Sequence, residues 1–326
     1  MLLRISELEP QFRFDRAIPY IISRKGGGFF SILSTVLCQI RIAERLGLTP
    51  VVDFENYAST YGEEHAVYGV RNSWEYYFLP VSALSTDQAH GAPLAIESGG
   101  EHPKDAPEYM ASDPDLLRIW NQYVALNRPM IDFDNLRDGL VGEETLGIHF
   151  RGNEMRTAKK HPLPMTLNQA LSSSKKMFDS HNLDTVYLVT EGLQYISKFR
   201  RTFGKRLLVD QTYRIRYGNA YGTYPRPNHK FLLGKEALMS ALTLSRCGGL
   251  VASDSNLSDF SIMVNQSRYR AVVLIKNGTN SANKHVANVA WYFKALLPLG
   301  SRYGLKNHQH DLTSWPRQEN LPPSST

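Results

Sequence analysis

The stretch His149-Phe150-Arg151-Gly152-Asn153-Glu154 is the most chemically informative part of the sequence. It follows the apolar run Thr145-Leu146-Gly147-Ile148, which reads as the start of a buried strand. Side chains alternate along a strand, so His149 and Arg151 point to one side and Ile148 and Phe150 to the other. An imidazole and a guanidinium at the exit of a buried strand need an anionic or polar partner. Arginine binds phosphate through charge-assisted hydrogen bonds, each contributing about 1.5–3 kcal/mol net. A carboxylate on a neighbouring loop would satisfy Arg151 equally well. Gly152 lets the loop turn tightly. Glu154, on the same loop, is the first choice for a general base and His161 the second. Glu154 can also simply pair with Arg156 or Lys159.

Parallel sheets bind ligands beyond the carboxyl ends of their strands, so the other strand ends matter too. Gly26, Gly27 and Gly28 separate the strand at 19–23 from a helix, and three glycines let backbone approach a ligand closely. The pattern matches neither ordinary nucleotide fingerprint. It can equally be a plain strand–helix turn. Glu191 follows the strand Asp184–Thr190. A carboxylate there can accept two bonds from a base edge such as guanine, or satisfy a helix N-terminus. Ser253, Ser255 and Asn256 follow the strand 249–253. Hydroxyls and N–H groups at a helix start make an anion cradle, with capping as part of the role. Asp132-Phe133-Asp134 is a DxD pair that follows no readable strand, so no metal site is assigned to it.

The elements that must position these groups alternate regularly. The first unit is strand 19–23, helix 29–46 and strand 50–54, with Gly47 stopping the helix. A short aromatic helix is expected over 72–78, a loop over 82–108 and a helix over 115–126. Strands follow at 145–150, 184–190, 206–210, 249–253 and 270–275. Helices lie between them from 166 to 180, up to about 203, over 228–245 and from 256, with a last helix over 285–297. Strands alternating with helices give parallel sheets covered on both faces.

The chain has 326 residues, 42% of them apolar, and a formal charge of +6. That length favours two domains of about 150 residues. The expected division is into two Rossmann-like domains, over 1–140 and 141–285. A terminal helix over 286–300 can cross back to the first domain, and 301–326 reads as a mobile tail. Two cysteines, Cys38 and Cys247, read as small core residues. The first residues lack an apolar signal core, and the apolar run from Phe29 to Ile40 is shorter than the roughly 20 residues a bilayer span needs. A cytoplasmic protein with at most peripheral membrane contact is expected. The basic residues are scattered, apart from a run between Lys198 and Arg206. No nucleic-acid-binding signature is present.

Four stretches resemble one family. The segment from Arg24 to Phe54 resembles the opening of rhizobial nodulation-factor α1,6-fucosyltransferases. Gly147–Glu154 resembles the H-x-R-[RH]-G motif of the wider superfamily, which includes bacterial α1,2-fucosyltransferases and protein O-fucosyltransferases. Leu188–Gly192 resembles its strand ending in Thr-Asp, and Cys247–Met263 its cysteine, strand, serine and helix block. The motifs occur in the family's order. Two positions depart from the pattern: Gly152 follows Arg151 directly, and Glu191 stands where the family has Asp.

The resemblance implies a GT-B-like α/β fold, two Rossmann-like domains facing each other across a cleft. It implies an inverting transferase that moves a sugar, fucose by analogy, from a GDP-sugar to a glycan or lipid-linked glycan hydroxyl without a metal. It implies that Arg151 binds the leaving diphosphate with His149 alongside. It places Glu191 near the base, Ser253, Ser255 and Asn256 near the phosphates, and Gly26–Gly28 at the cleft edge. Two alternatives remain open. One is a transferase of a GDP-heptose or other deoxyhexose in capsule or lipopolysaccharide synthesis. The other is a non-catalytic nucleotide- or glycan-binding protein.

Overall fold

The structure is a computed structural model that describes residues 2–4, 18–296 and 308–311, apart from positions 25, 153, 160, 217, 219 and 267; at 3, 154, 294–296 and 308–311 it describes backbone alone. The chain divides into two compact units. One comprises Met1–Leu136 and Tyr224–Met239, the other Arg137–Thr223 and Ser240–Thr326. The segment Tyr224–Met239, expected in the second domain, thus packs with the first.

The first unit contains β1 (Leu2–Arg4), β2 (Pro19–Ile22), α1 (Phe29–Leu46), β3 (Thr49–Val52), α2 (Thr86–Gly91), β4 (Ala95–Glu97), α3 (Pro114–Tyr123) and α4 (Arg128–Asn135). Its four strands are all parallel, in the order β1-β4-β2-β3. Helix α1 is buried nearly all round between Phe29 and Ile40, because it lies between the sheet and α3. Its buried polar groups are matched: the Tyr20 hydroxyl donates to Gln39 Oε1 at 2.5 Å. Gly47 ends it in the left-handed region at φ 68°, its N–H bonding the Ala43 and Glu44 carbonyls.

Two expectations for this unit fail. The aromatic stretch 72–78 is a series of turns rather than a helix. The Asn72 amide oxygen accepts the N–H groups of Phe54 and Trp74, offering the backbone an alternative to helical bonding. The loop 82–108 contains α2 and the central strand β4. Asp132 and Asp134 lie on α4, where Asp132 pairs with Arg128 one turn away at 3.0 Å.

The second unit contains β5 (Thr145–Phe150), α5 (Leu167–Ser180), β6 (Thr185–Thr190), α6 (Leu193–Phe203) and β7 (Leu207–Leu208). After these come α7 (His229–Leu244, whose last turns belong here), β8 (Gly249–Ser253), α8 (Asn256–Asn265), β9 (Ala271–Lys276), α9 (Lys284–Leu296) and β10 (His308–Asp311). Strand order is β10-β9-β8-β5-β6-β7, parallel except for β10. Both faces of this sheet are buried. Ile148, Phe150, Val186, Leu188 and Val251 pack with α5 and α6. Tyr187, Leu250, Ala252 and Leu274 pack on the opposite side with Leu244 of α7. Two-sided burial is why these strands read as near-continuous apolar runs.

The terminal region departs from expectation. Helix α9 packs on α5 and on the turn Glu154–Arg156, both in the second unit, rather than crossing back. The Arg156 guanidinium lies 5.1 and 5.3 Å from the ring centres of Trp291 and Tyr292. Within the expected tail, His308–Asp311 forms β10, pairing antiparallel with β9. The rest of 301–326 lies outside the described residues. Among the described residues, no helix is long and apolar enough to cross a membrane.

Candidate functional site

The second sheet has a topological switch point between β5 and β8. From β5 the chain proceeds outward through β6 and β7 on one side, then returns to place β8 and β9 on the other. Such a reversal leaves a crevice beyond the carboxyl ends of the two diverging strands. The residues leaving β5 are Arg151 and Gly152, and those leaving β8 are Asp254 and Ser255. The strongest sequence candidates therefore converge on the place where an open parallel sheet binds ligands.

Register fixes the next contact. Phe150 pairs with Thr190 across β5 and β6, which sets Arg151 beside Glu191. The Arg151 Nε donates to Glu191 Oε2 at 2.8 Å. The two side chains remain 28% and 19% exposed, so the pair is accessible to a ligand. Sequence reasoning gave these residues separate tasks, diphosphate and base; the structure joins them as an ion pair.

His149 is buried, and its Nδ1 lies 2.7 Å from Ser258 Oγ and 3.3 Å from Ser255 Oγ. The two hydroxyls are 3.0 Å apart. Burial, reinforced by the positive charge of Arg151, pushes the imidazole down to about 3. His149 is therefore neutral near pH 7 and ties β5 to α8, rather than presenting a second cation. Ser255 caps α8, accepting the Ser258 N–H at 3.3 Å, and Asn256 is the first, exposed residue of that helix. Ser253 is buried and its Oγ accepts the Met165 N–H at 3.0 Å. That bond fixes the loop leading into α5.

Glycine at 152 has a packing cause. A Cβ there would stand 2.7 Å from the Tyr195 ring and 2.8 Å from Phe150. The Tyr195 hydroxyl donates to the Gly152 carbonyl at 2.8 Å. Tyr195 thus holds the chain immediately after Arg151.

The loop beyond is clamped from the segment following β9. Asn280 Nδ2 donates to the carbonyls of Met155 and Ala158 at 2.6 and 3.1 Å. Leu163 N–H bonds Gly278 O, and Asn277 Nδ2 bonds Pro164 O. Sequence reading passed over Asn277 and Asn280; only the KNGTN turn chemistry marks the place. It also passed over Arg214, whose Nε donates to Thr190 O at 3.1 Å, beside Glu191. Glu154 lies in a 3-10 turn, Glu154–Arg156, and only its backbone is described.

Gly26, Gly27 and Gly28 belong to the first unit, in an exposed loop after β2. Gly26 and Gly27 have φ of 71° and 109°, conformations that favour glycine. Gly28 begins α1, its carbonyl accepting from Ser31 and Ile32. Among the described residues, no group of three or more His, Cys, Asp or Glu could hold a metal ion.

No protein-family model and no curated protein matches the chain. Solved structures do. The NodZ α-1,6-fucosyltransferase co-crystallised with GDP is 13% identical, with a TM-score of 0.52 over 80% of this chain and 96% of that one. The fucosyltransferase NodZ from Bradyrhizobium is 13% identical, with a TM-score of 0.52 over 79% and 95%. NodZ α-1,6-fucosyltransferase soaked with GDP-fucose is 12% identical, with a TM-score of 0.51 over 79% and 95%.

The chain has the NodZ fucosyltransferase fold. That is the GT-B-like class expected from the sequence, with two α/β units built on parallel sheets. In the NodZ-like fold described here, the His149, Arg151, Glu191, Ser253 and Ser255 positions gather at one sheet edge of the second unit.

Proposed function

We propose that the chain is a glycosyltransferase whose second unit binds a GDP-sugar beyond the carboxyl ends of β5 and β8. One observation carries the reading: Arg151, partly exposed and held by Glu191 at the end of β6, leaves β5 at the topological switch point between β5 and β8. The shared fold with a structure described as co-crystallised with GDP supports it.

Transfer breaks the bond between the anomeric carbon and the β-phosphate oxygen, so negative charge grows on the leaving diphosphate. A guanidinium presents five donors in a fixed fork, and its bond to Glu191 leaves it oriented for phosphate oxygens. In this proposal Arg151 supplies the charge stabilisation that a metal supplies elsewhere. The α8 N-terminus and Ser255 add donors to the phosphates. Neutral His149 holds Ser255 and Ser258 in place. Glu154 is proposed to take the proton of the acceptor hydroxyl, which attacks with inversion. The proposed donor is GDP-fucose and the acceptor a glycan or glycoconjugate hydroxyl.

A second reading has an observation of its own. The same 2.8 Å bond is what a structural arginine makes, and it would suit a protein that binds GDP without turnover. Melting curves with GDP, UDP, CMP and ADP come first, since specific binding stabilises by mass action. A rise with GDP alone is expected; indifference to GDP overturns both readings. Release of GDP from GDP-fucose with a glycan acceptor then separates catalysis from binding.

A further inference from the structure

A cavity of about 620 Å³ lies in the first unit, along the outer edge of β3. Ligand pockets commonly measure about 300–1,000 Å³. Its walls come from β3 and from the chain on either side of the aromatic turns. None of them is used by the site at β5 and β8.

The walls are tied independently of any occupant. Asn72, almost wholly buried, uses both ends of its amide: Oδ1 accepts from Phe54 and Trp74, while Nδ2 donates to Val52 O at 2.8 Å and Glu75 Oε1 at 3.0 Å. Ser82 Oγ donates to Pro50 O at 2.7 Å, so among the described residues the outer edge of β3 is bonded by side chains rather than by another strand. Ser85, in the lining, is fixed by a reciprocal cap with Gln88 at the start of α2. A space held open this way loses little ordering entropy when filled.

The lining has two characters. Glu55, Glu75 and Thr86 offer polar groups, while Val70, Pro80 and Val81 offer apolar surface. Burial raises the Glu75 carboxyl above its ordinary value, against the Asn72 hydrogen bond and with help from the Glu55 charge. Ionised carboxylates only accept hydrogen bonds, so they call for a ligand rich in donors. Among the described residues, the acids Glu55 and Glu75 against the cation Arg71 leave the lining with a negative balance, which disfavours a phosphorylated occupant. A pyranose chain fits both characters, with hydroxyls around each ring edge and C–H groups on its faces.

We infer that this cavity binds a neutral oligosaccharide, with Glu55 and Glu75 accepting hydrogen bonds from its hydroxyls. Under the transferase reading, on which only this last step rests, the occupant is part of the acceptor or product glycan.

The test uses the full chain and saturation-transfer difference NMR with cellotetraose, chitotetraose and maltotetraose. At least one should receive magnetisation. Ala83→Trp, which fills the cavity from an exposed wall position, should abolish the signal. Glu55→Gln, on the surface, should weaken binding about tenfold, the cost of one bond to a charged acceptor. The melting shift produced by GDP should stay unchanged in both variants, which separates this site from the donor site. Loss of the GDP shift in the parent protein, with oligosaccharide binding intact, would refute the donor reading alone. Absence of tetrasaccharide signal, its persistence in the folded Ala83→Trp variant, or full affinity in Glu55→Gln overturns the inference. So does competition by spermidine, which would mark a cation site.

Discussion

Arg151 and Glu191, 40 positions apart, meet because Phe150 and Thr190 are partners in adjacent parallel strands. The 2.8 Å bond between them is a consequence of sheet register. Any slip of β6 against β5 would separate them. A carboxylate held there restricts the guanidinium to one orientation, as the proposed diphosphate contact requires.

Replacing Arg151 with alanine should leave the fold intact and lower transfer by about 10²–10³-fold, the usual cost of one donor to developing charge. Lysine should not restore the rate, because a point charge lacks the planar fork. Steady-state rates with GDP-fucose, beside far-UV circular dichroism, check this. A variant retaining substantial activity would remove Arg151 from the mechanism.

Gly152→Ala should destabilise the second unit by about 1–3 kcal/mol, as overpacking does. The new methyl meets two buried rings, Tyr195 and Phe150, which already pack edge to face at 4.8 Å. Urea denaturation gives the value. Shortening Tyr195 to leucine in the same chain should recover part of the loss, although it sacrifices the hydroxyl bond to Gly152 O.

Stability should fall on acidification because of His149. Its ordinary value is 6.5 and burial lowers it to about 3 in the folded chain. Between these values the unfolded chain binds more protons, so the His149 contribution is complete above about pH 6.5. It declines as pH drops toward 3, at up to about 1.4 kcal/mol per pH unit. Denaturant titrations at pH 5 and pH 7 measure the slope. His149→Gln should flatten it; an unchanged slope would assign the acid limb to other groups.

Asn280→Ala should release the loop after Arg151. Two carbonyls, Met155 O and Ala158 O, would lose their donor, at about 1–3 kcal/mol for each group left buried. Asn280 touches no proposed substrate atom, so the positioning role predicts a lower kcat with little change in the affinity for GDP. Calorimetry with GDP and kinetics together decide it.

Much of the second unit was legible because β5, β6 and β8 are buried on both faces and read as unbroken apolar runs. The helix starts at Thr166 and Ser255 were visible from their capping side chains. What stayed hidden depended on distant partners. The union of Arg151 with Glu191 requires register. The Asn280 clamp joins residues more than 120 positions apart. The neutrality of His149 comes from enclosure by α8. Strands β4 and β10 are short, with β10 built from the polar HQHD, so pairing rather than propensity makes them strands. At 72–78 local pattern misled outright, because one asparagine side chain redirected the backbone.

The backbone changes unit after Leu136, after Thr223 and again within helix α7 after Met239. Phe231, near the start of that helix, stacks on Tyr77 at 5.6 Å, and its main-chain carbonyl accepts a hydrogen bond from the Tyr77 hydroxyl. A stop codon at 137 would therefore yield a fragment missing a piece of its own interior. Neither half can be lifted out as a cassette: a chimera that grafts the first unit onto another protein of this fold must carry residues 224–239 with it.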